Sequence, residues 1–441
     1  MIPTNTLALL PLAAAALSAL TALPVSARIG GGALQHGLRS NKKTHLPIVE
    51  PVKRSNSDKT KRKVKKRKTS CVARPNNATA TLSGSASSTS ALGNGWGVET
   101  DTTSSWQATS TSSSAAAATS TASSYNSEWK LTETWAGNSF FDHWSFWSWD
   151  DPTHGTVQYV DAGTAWNEGL ISINSKGNAI MKVDTTEQVW PGRKSVRIHG
   201  NLVYTGGLVL MDALHMPVGC GTWPAWWSNG PNWPYGGEID ILEGVNAFSQ
   251  NQISLHTGSG CHMVDNEMEM QGALTKGNFD SFNCASYETS NQGCGVRDTY
   301  HSDGYGAGYN NVGGGVYAMK WDKEGIKIWW FNRNNIPADI TAEQPVPSSW
   351  GTPVADFPST DCDPYKFFYE HFNIFDTTFC GDWAGADNVW NYAGYAGQDQ
   401  SCAAITGYST CSDYVLNNGK AFNEAYWEVA YVKYFNSTTA V

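Results

Sequence analysis

Charge is scarce in this chain and unevenly placed. Only 16% of its 441 residues are Asp, Glu, Lys or Arg. About half of the Lys and Arg fall within residues 28 to 74, opposed there only by Glu50 and Asp58. The remainder is strongly acidic, with a net charge of about −22. Such a surface repels nucleic acid and suits a neutral substrate. No long stretch shows helical periodicity, and nothing in the composition marks two separate domains. Cys and His are nowhere spaced as zinc ligands, so no metal or cofactor is expected. The Gly-rich run at 303 to 315 reads as a turn that opens no helix, which argues against nucleotide binding. NSTTAV at the C-terminus lacks the hydrophobic tail of a lipid anchor.

Aromatic residues, by contrast, are abundant. Twenty tryptophans exceed what a core requires, and indole rings stack on flat apolar ligand faces, including those of sugars. Residues 6 to 25 form an apolar run ending at Val25-Ser26-Ala27, the pattern of a signal peptide spanning 1 to 27. Its prolines and alanines argue against a stable membrane anchor. A secreted protein, extracellular or associated with the cell wall, is expected. Residues 28 to 74 read as a basic propeptide or a disordered tail, with Lys53-Arg54 and Lys66-Arg67 as processing sites. Residues 75 to 127 are a Ser/Thr/Ala-rich linker. Asn77 and Asn436 head N-glycosylation triplets. Of nine cysteines, eight lie between 220 and 411, an even set for disulfides of open pairing, and Cys71 stands apart.

From about Trp129 to Phe435 the chain reads as short strands between Gly, Asn and Asp turns. Candidate strands are 196 to 200, 206 to 216, 237 to 244, 252 to 257, 316 to 321, 325 to 332 and 425 to 435. In the last, Trp427, Val429 and Tyr431 alternate with Glu428 and Ala430. The pattern predicts an all-β sandwich. Trp329 and Trp330 are adjacent, so on a strand only one of them can face a cleft. The acidic pair Asp150-Asp151 is read as a solvated turn in preference to a calcium site.

GEIDILEG at 237 to 244 carries the chemistry. Residues two apart share a strand face, so Glu238 and Asp240 point together. Strict alternation would bury Glu243 on the apolar face, at high cost. A β-bulge at Ile241-Leu242 would return it to the polar face. Three acids on one face suit glycosidic bond cleavage, in which one carboxyl attacks and another moves the proton. Counting back across a turn at Ala247 to Asn251 places His256 near residues 240 to 241.

These residues resemble glycoside hydrolase family 16, and more narrowly its fungal endo-1,3(4)-β-glucanases. The resemblance rests on GTWPAWWSNGPNWPYGGEIDILEGVN at 221 to 246, with Glu-x-Asp-x-x-Glu intact, and on segments at 140 to 161, 195 to 208 and 372 to 385. It implies a two-sheet antiparallel β-jelly roll over residues 128–436, with a concave substrate cleft. It implies Glu238 as nucleophile, Glu243 as acid/base, Asp240 as the assistant between them, and His256 beside the acid/base. Trp226, Trp233 and Trp383 are implied to line sugar subsites. The expected ligand is a β-glucan polysaccharide and the expected state a monomer. A glycan transferase on the same machinery is the second possibility. A non-catalytic glucan-binding protein, which would be expected to have lost the glutamates, is the third.

Overall fold

A computed structural model describes residues 124–438 apart from Asn278. The signal at 1 to 27, the basic tract with Cys71, Asn77 and most of the linker lie outside the described residues. The period-two segments fold as two antiparallel sheets of eight strands each. The first runs Ala273–Leu274, Cys294–Arg297, Gln252–His256, Glu238–Glu243, Thr222–Asn229, Phe372–Phe379, Arg197–Gly200 and Trp144–Phe146. The second runs Ala355–Pro358, Gly325–Asn332, Gly315–Asp322, Gly207–His215, Tyr426–Ser437, Ala179–Lys182 and Ile171–Ile173, with Trp129–Ala136 also paired to Tyr426–Ser437. A separate parallel pair joins Val157–Tyr159 to Arg193–Ser195.

The main core lies between the sheets. Ile198, Trp226, Ile239, Ile253, Leu255, Val296 and Phe375 come from the first, and Val209, Met211, Tyr317, Met319, Trp321 and Trp427 from the second. Each fully buried large side chain stabilises the sandwich by roughly 1.5–3 kcal/mol. Trp329 and Trp330 belong to the second sheet and are both buried, on opposite faces, Trp330 in the main core and Trp329 in a smaller cluster with Leu208, Leu210 and Ile340. The expected alternation along the last strand breaks after Val429. A bulge there brings Val432 and Tyr434 into the core and leaves Tyr431 only partly buried.

The glycine-rich run differs from its reading as a turn: Gly306–Asn311 is one short helix, anchored by buried Tyr305 and Tyr309. Asp151 Oδ2 accepts from the Gly155 N–H at 2.8 Å and from Thr153 Oγ1 at 2.7 Å, closing the turn expected there. All eight cysteines of the folded part pair, as Cys220–Cys402, Cys261–Cys362, Cys284–Cys294 and Cys380–Cys411.

Candidate active site

Glu238–Glu243 is a central strand of the first sheet, flanked by Thr222–Asn229 and Gln252–His256. Gly237 admits it. Its φ is +81°, and a Cβ there would lie 2.3 Å from the Phe368 ring. Pairing then slips by one residue between Asp240 and Glu243 relative to both neighbours, which is the expected bulge. Ile239, Ile241 and Leu242 consequently all face the core, while Glu238, Asp240 and Glu243 share the opposite face. The bulge is pinned by Asn251, itself fully buried. Its Oδ1 accepts from the Glu243 N–H at 2.8 Å, and its Nδ2 donates to the Ile241 carbonyl at 2.9 Å. One side chain thereby satisfies a donor and an acceptor that the irregular ladder leaves free.

Each outer carboxylate receives an indole N–H. Trp233 Nε1 donates to Glu238 Oε2, and Trp223 Nε1 donates to Glu243 Oε1 at 2.8 Å. Asp240 is 2% exposed, and its Oδ2 lies 3.4 Å from His256 Nε2. Burial, and then the charge of Asp240, push Glu238 up to about 8. Burial raises Asp240 as well. Glu243 is held well above the usual carboxylate range, by burial first and by Asp240 second, with Trp223 opposing. The face therefore retains protons near neutral pH. One acid can protonate a leaving group while another shares its proton with a neighbour.

A second polar group lies across Thr222–Asn229. Arg197, Asp376, Ala225 and Glu243 fall in one cross-strand row. Arg197 Nη1 is 3.7 Å from Asp376 Oδ2, and both residues are buried. The guanidinium lies 5.1 Å from the ring centroids of both Trp147 and Trp227, close enough for cation–π attraction. Its Nε donates to His199 Nε2 at 3.0 Å. Burial and that cation depress His199 to about 3, so its imidazole is neutral. Burial raises Asp376 to about 7 against the pull of Arg197.

Residues 144–435 match the family described as the XgeA-like, catalytic GH16 domain. The chain belongs to glycoside hydrolase family 16. Among its family-16 relatives, a probable glycosidase of Schizosaccharomyces pombe is 44% identical over 69% of this chain and 69% of its own length. A probable endo-1,3(4)-beta-glucanase of Aspergillus clavatus is 44% identical over 70% of this chain but 47% of its own, so this chain matches under half of that protein. An endo-1,3(4)-beta-glucanase of Arthroderma benhamiae is 39% identical over 70% of this chain and 65% of its own. Two solved structures share the two-sheet jelly roll. Laminarinase 16A of Phanerochaete chrysosporium, holding 6-O-glucosyl-laminaritriose in donor and acceptor sites, is 39% identical, with a TM-score of 0.63 over 70% of this chain and 99% of its own. An elongating family-16 beta-1,3-glucosyltransferase is 40% identical, with a TM-score of 0.62 over 70% of this chain and 100% of its own.

The structure brings most of the sequence-derived site residues to one face. Glu238, Asp240, Glu243 and His256 are adjacent, and Trp233 is bonded to Glu238. Trp383 meets Trp223 edge-on, with ring centroids 5.6 Å apart, beside Glu243. Two expectations need correction. Trp226 lines no open subsite. It is fully buried, stacked on Phe375 between the sheets, because its parity along the strand is that of the core. Its neighbour Trp227, the cross-strand partner of Asp240, is the indole on the site face. His256 pairs with Glu238, not with residues 240 to 241, and the carboxylate it approaches is that of Asp240. Pairing starts at Glu243 and Gln252, and the bulge adds a residue on one side only. Sequence reading missed Trp223, Trp227, Asn251, Arg197 and Asp376. The spacing of Trp223 and Trp227 was a usable signal for a shared face, whereas Arg197 and Asp376 meet only through the fold.

Proposed function

We propose that this chain is a secreted endo-β-glucanase, hydrolysing β-1,3 and mixed β-1,3/1,4-glucans with retention of anomeric configuration. The observation that carries the reading is the row of three protonatable acids on one sheet face, each outer one oriented by an indole. In this mechanism Glu238 attacks the anomeric carbon, and Trp233 holds one of its oxygens so that the other faces the sugar. Asp240 takes up the proton that Glu238 must lose. Glu243, kept protonated by burial, gives its proton to the leaving oxygen as the glycosidic bond breaks. As a carboxylate it then accepts a proton from water, which attacks the same carbon and releases Glu238 from the glycosyl ester. His256 supports Asp240, and Trp227, Trp233 and Trp383 supply sugar-stacking surfaces.

The named activities of the Arthroderma and Phanerochaete relatives support this substrate class. Four disulfides suit an oxidising compartment and support secretion. A second reading, transfer to a sugar acceptor in place of water, is favoured by the likeness to the elongating glucosyltransferase. Product analysis on laminarin, lichenan and cellulose separates the two. Short oligosaccharides from the first two, with cellulose intact, fit the glucanase. Products that require an added sugar acceptor fit the transferase, and no release from any of the three removes the hydrolase reading.

A further inference from the structure

Three aromatic side chains outside the core form a continuous exposed surface that begins at the carboxylates. Trp233 is 38% exposed, Tyr235 59% and Tyr287 68%. Single exposed aromatics are ordinary on a protein surface, but these three touch. Trp233 and Tyr287 meet edge-on, with centroids 6.1 Å apart and planes at 85°. Tyr235 and Tyr287 are 6.4 Å apart at 61°. Edge contacts fix ring orientation and leave much of each ring in water.

The rings are also held in place. Tyr287 rides on a loop closed by Cys284–Cys294 and tied to the end of the His256 strand by the Thr257–Ala285 bridge. Just outside that loop Asn283 Nδ2 donates back to Glu288 Oε2 at 2.9 Å, and within it Thr289 Oγ1 donates to the Ala285 carbonyl at 2.9 Å. Tyr235 lies over Gly258, where a Cβ would come within 2.8 Å of its ring, so that glycine is what seats it. Rings already fixed lose little freedom when a ligand covers them.

We propose that Tyr235 and Tyr287 form a stacking platform that extends the site beyond Trp233 and takes a further sugar unit of a long glucan chain. The inference rests on the β-glucan reading above and adds a chain-length preference to it. The occupant follows from continuity. Trp233 bonds Glu238, so a polysaccharide lying across the carboxylates has its next rings at these tyrosines. A pyranose offers an apolar C–H face to an aromatic ring, and its neutral hydroxyls suit an acidic surface.

The test uses the full chain and the variants Tyr287→Ala, Tyr235→Ala/Tyr287→Ala and Tyr287→Trp, with kcat/KM measured on β-1,3-oligosaccharides from trimer to heptamer. The alanine variants are expected to lose about two- to tenfold on the longest members and nothing on the shortest, with Tyr287→Trp restoring the loss. Equal loss at every length would overturn the proposal, because the tyrosines would then only be propping Trp233. No loss at any length would overturn it as well. Affinity electrophoresis in laminarin gels reads the same surface without turnover. Reduced retardation of the alanine variants is expected, and unchanged retardation contradicts the platform. If the wild-type chain cleaves none of the series, it is the glucanase reading that falls, and the gel result still decides the platform.

Discussion

The two sheets are alike in strand number but differ in how their outward faces carry charge. On the second sheet, acids are matched by bases. Arg333 makes a two-pronged bond to Asp212 at 2.6 and 2.8 Å, Lys327 meets Asp356 at 2.8 Å, and Lys433 meets Glu343 at 2.8 Å. On the first sheet Arg197 pairs with Asp376, but Glu238, Asp240 and Glu243 crowd together, with His256 Nε2 3.4 Å from Asp240 Oδ2. Each base on the second sheet neutralises its acid in place, and removing one would strand a buried carboxylate at Asp212 or Asp356. Three acids side by side, Asp240 buried and both glutamates half-buried, disfavour ionisation and stabilise nothing by themselves. The contrast fits the proposal that the first face is built for chemistry and the second for folding.

The sharpest way to break this comparison is to remove a charged group from each sheet. Glu238→Gln should lower turnover by about 10³-fold or more while leaving the circular dichroism spectrum unchanged. A residual rate within tenfold of wild type would remove Glu238 as nucleophile. The core beneath the site responds differently. Trp226→Ala should cost about 3–5 kcal/mol in denaturant unfolding, whereas Trp227→Ala should act mainly on KM. A stable Trp226→Ala protein with a raised KM would return Trp226 to the cleft.

Asn251→Ala should lower stability by about 1–3 kcal/mol, since two backbone groups of the bulge lose their partner. Its kcat should fall as well, because Glu243 sits on that bulge. On the second sheet, Arg333→Met leaves Asp212 buried and unpaired. It should destabilise by a similar or smaller amount with kcat unchanged. A fall in kcat there would end the division of labour between the sheets.

A smaller, graded effect concerns pH. Glu238 has a folded pKa near 8 against an ordinary 4.5. Between those values the unfolded chain has released its proton while the folded chain retains it, so stability falls as pH rises. The slope is at most about 1.4 kcal/mol per pH unit for one such carboxyl. Glu238→Gln has no proton to lose there, and its stability should gain on wild type steadily from pH 5 to pH 8. Parallel stability curves for the two proteins would show that Glu238 is not held protonated.

Much of this was readable before folding. Alternation marked the long strands, and the cost of burying Glu243 required a bulge that the pairing contains. What was not readable depends on parity and on distance along the chain. Trp226 and Trp227 are adjacent, and which one enters the core is set by strand phase, which a single bulge resets. The partner of His256 depends on where hairpin pairing starts. Arg197 and Asp376 come from strands 179 residues apart in sequence, and no local pattern marks them as neighbours. Cysteine pairing is likewise a property of the finished sandwich. The tyrosine platform depends on a loop whose seat against Trp233 exists only in three dimensions.

The central claim is retaining chemistry by Glu238 and Glu243. It is tested most directly by following the anomeric proton of newly formed reducing ends by NMR in the first minutes of laminarin cleavage. The account predicts β-configured ends first, with the α form growing in only as fast as mutarotation supplies it. Ends that appear first in the α configuration would mean that water attacks directly, and would contradict a glycosyl ester on Glu238.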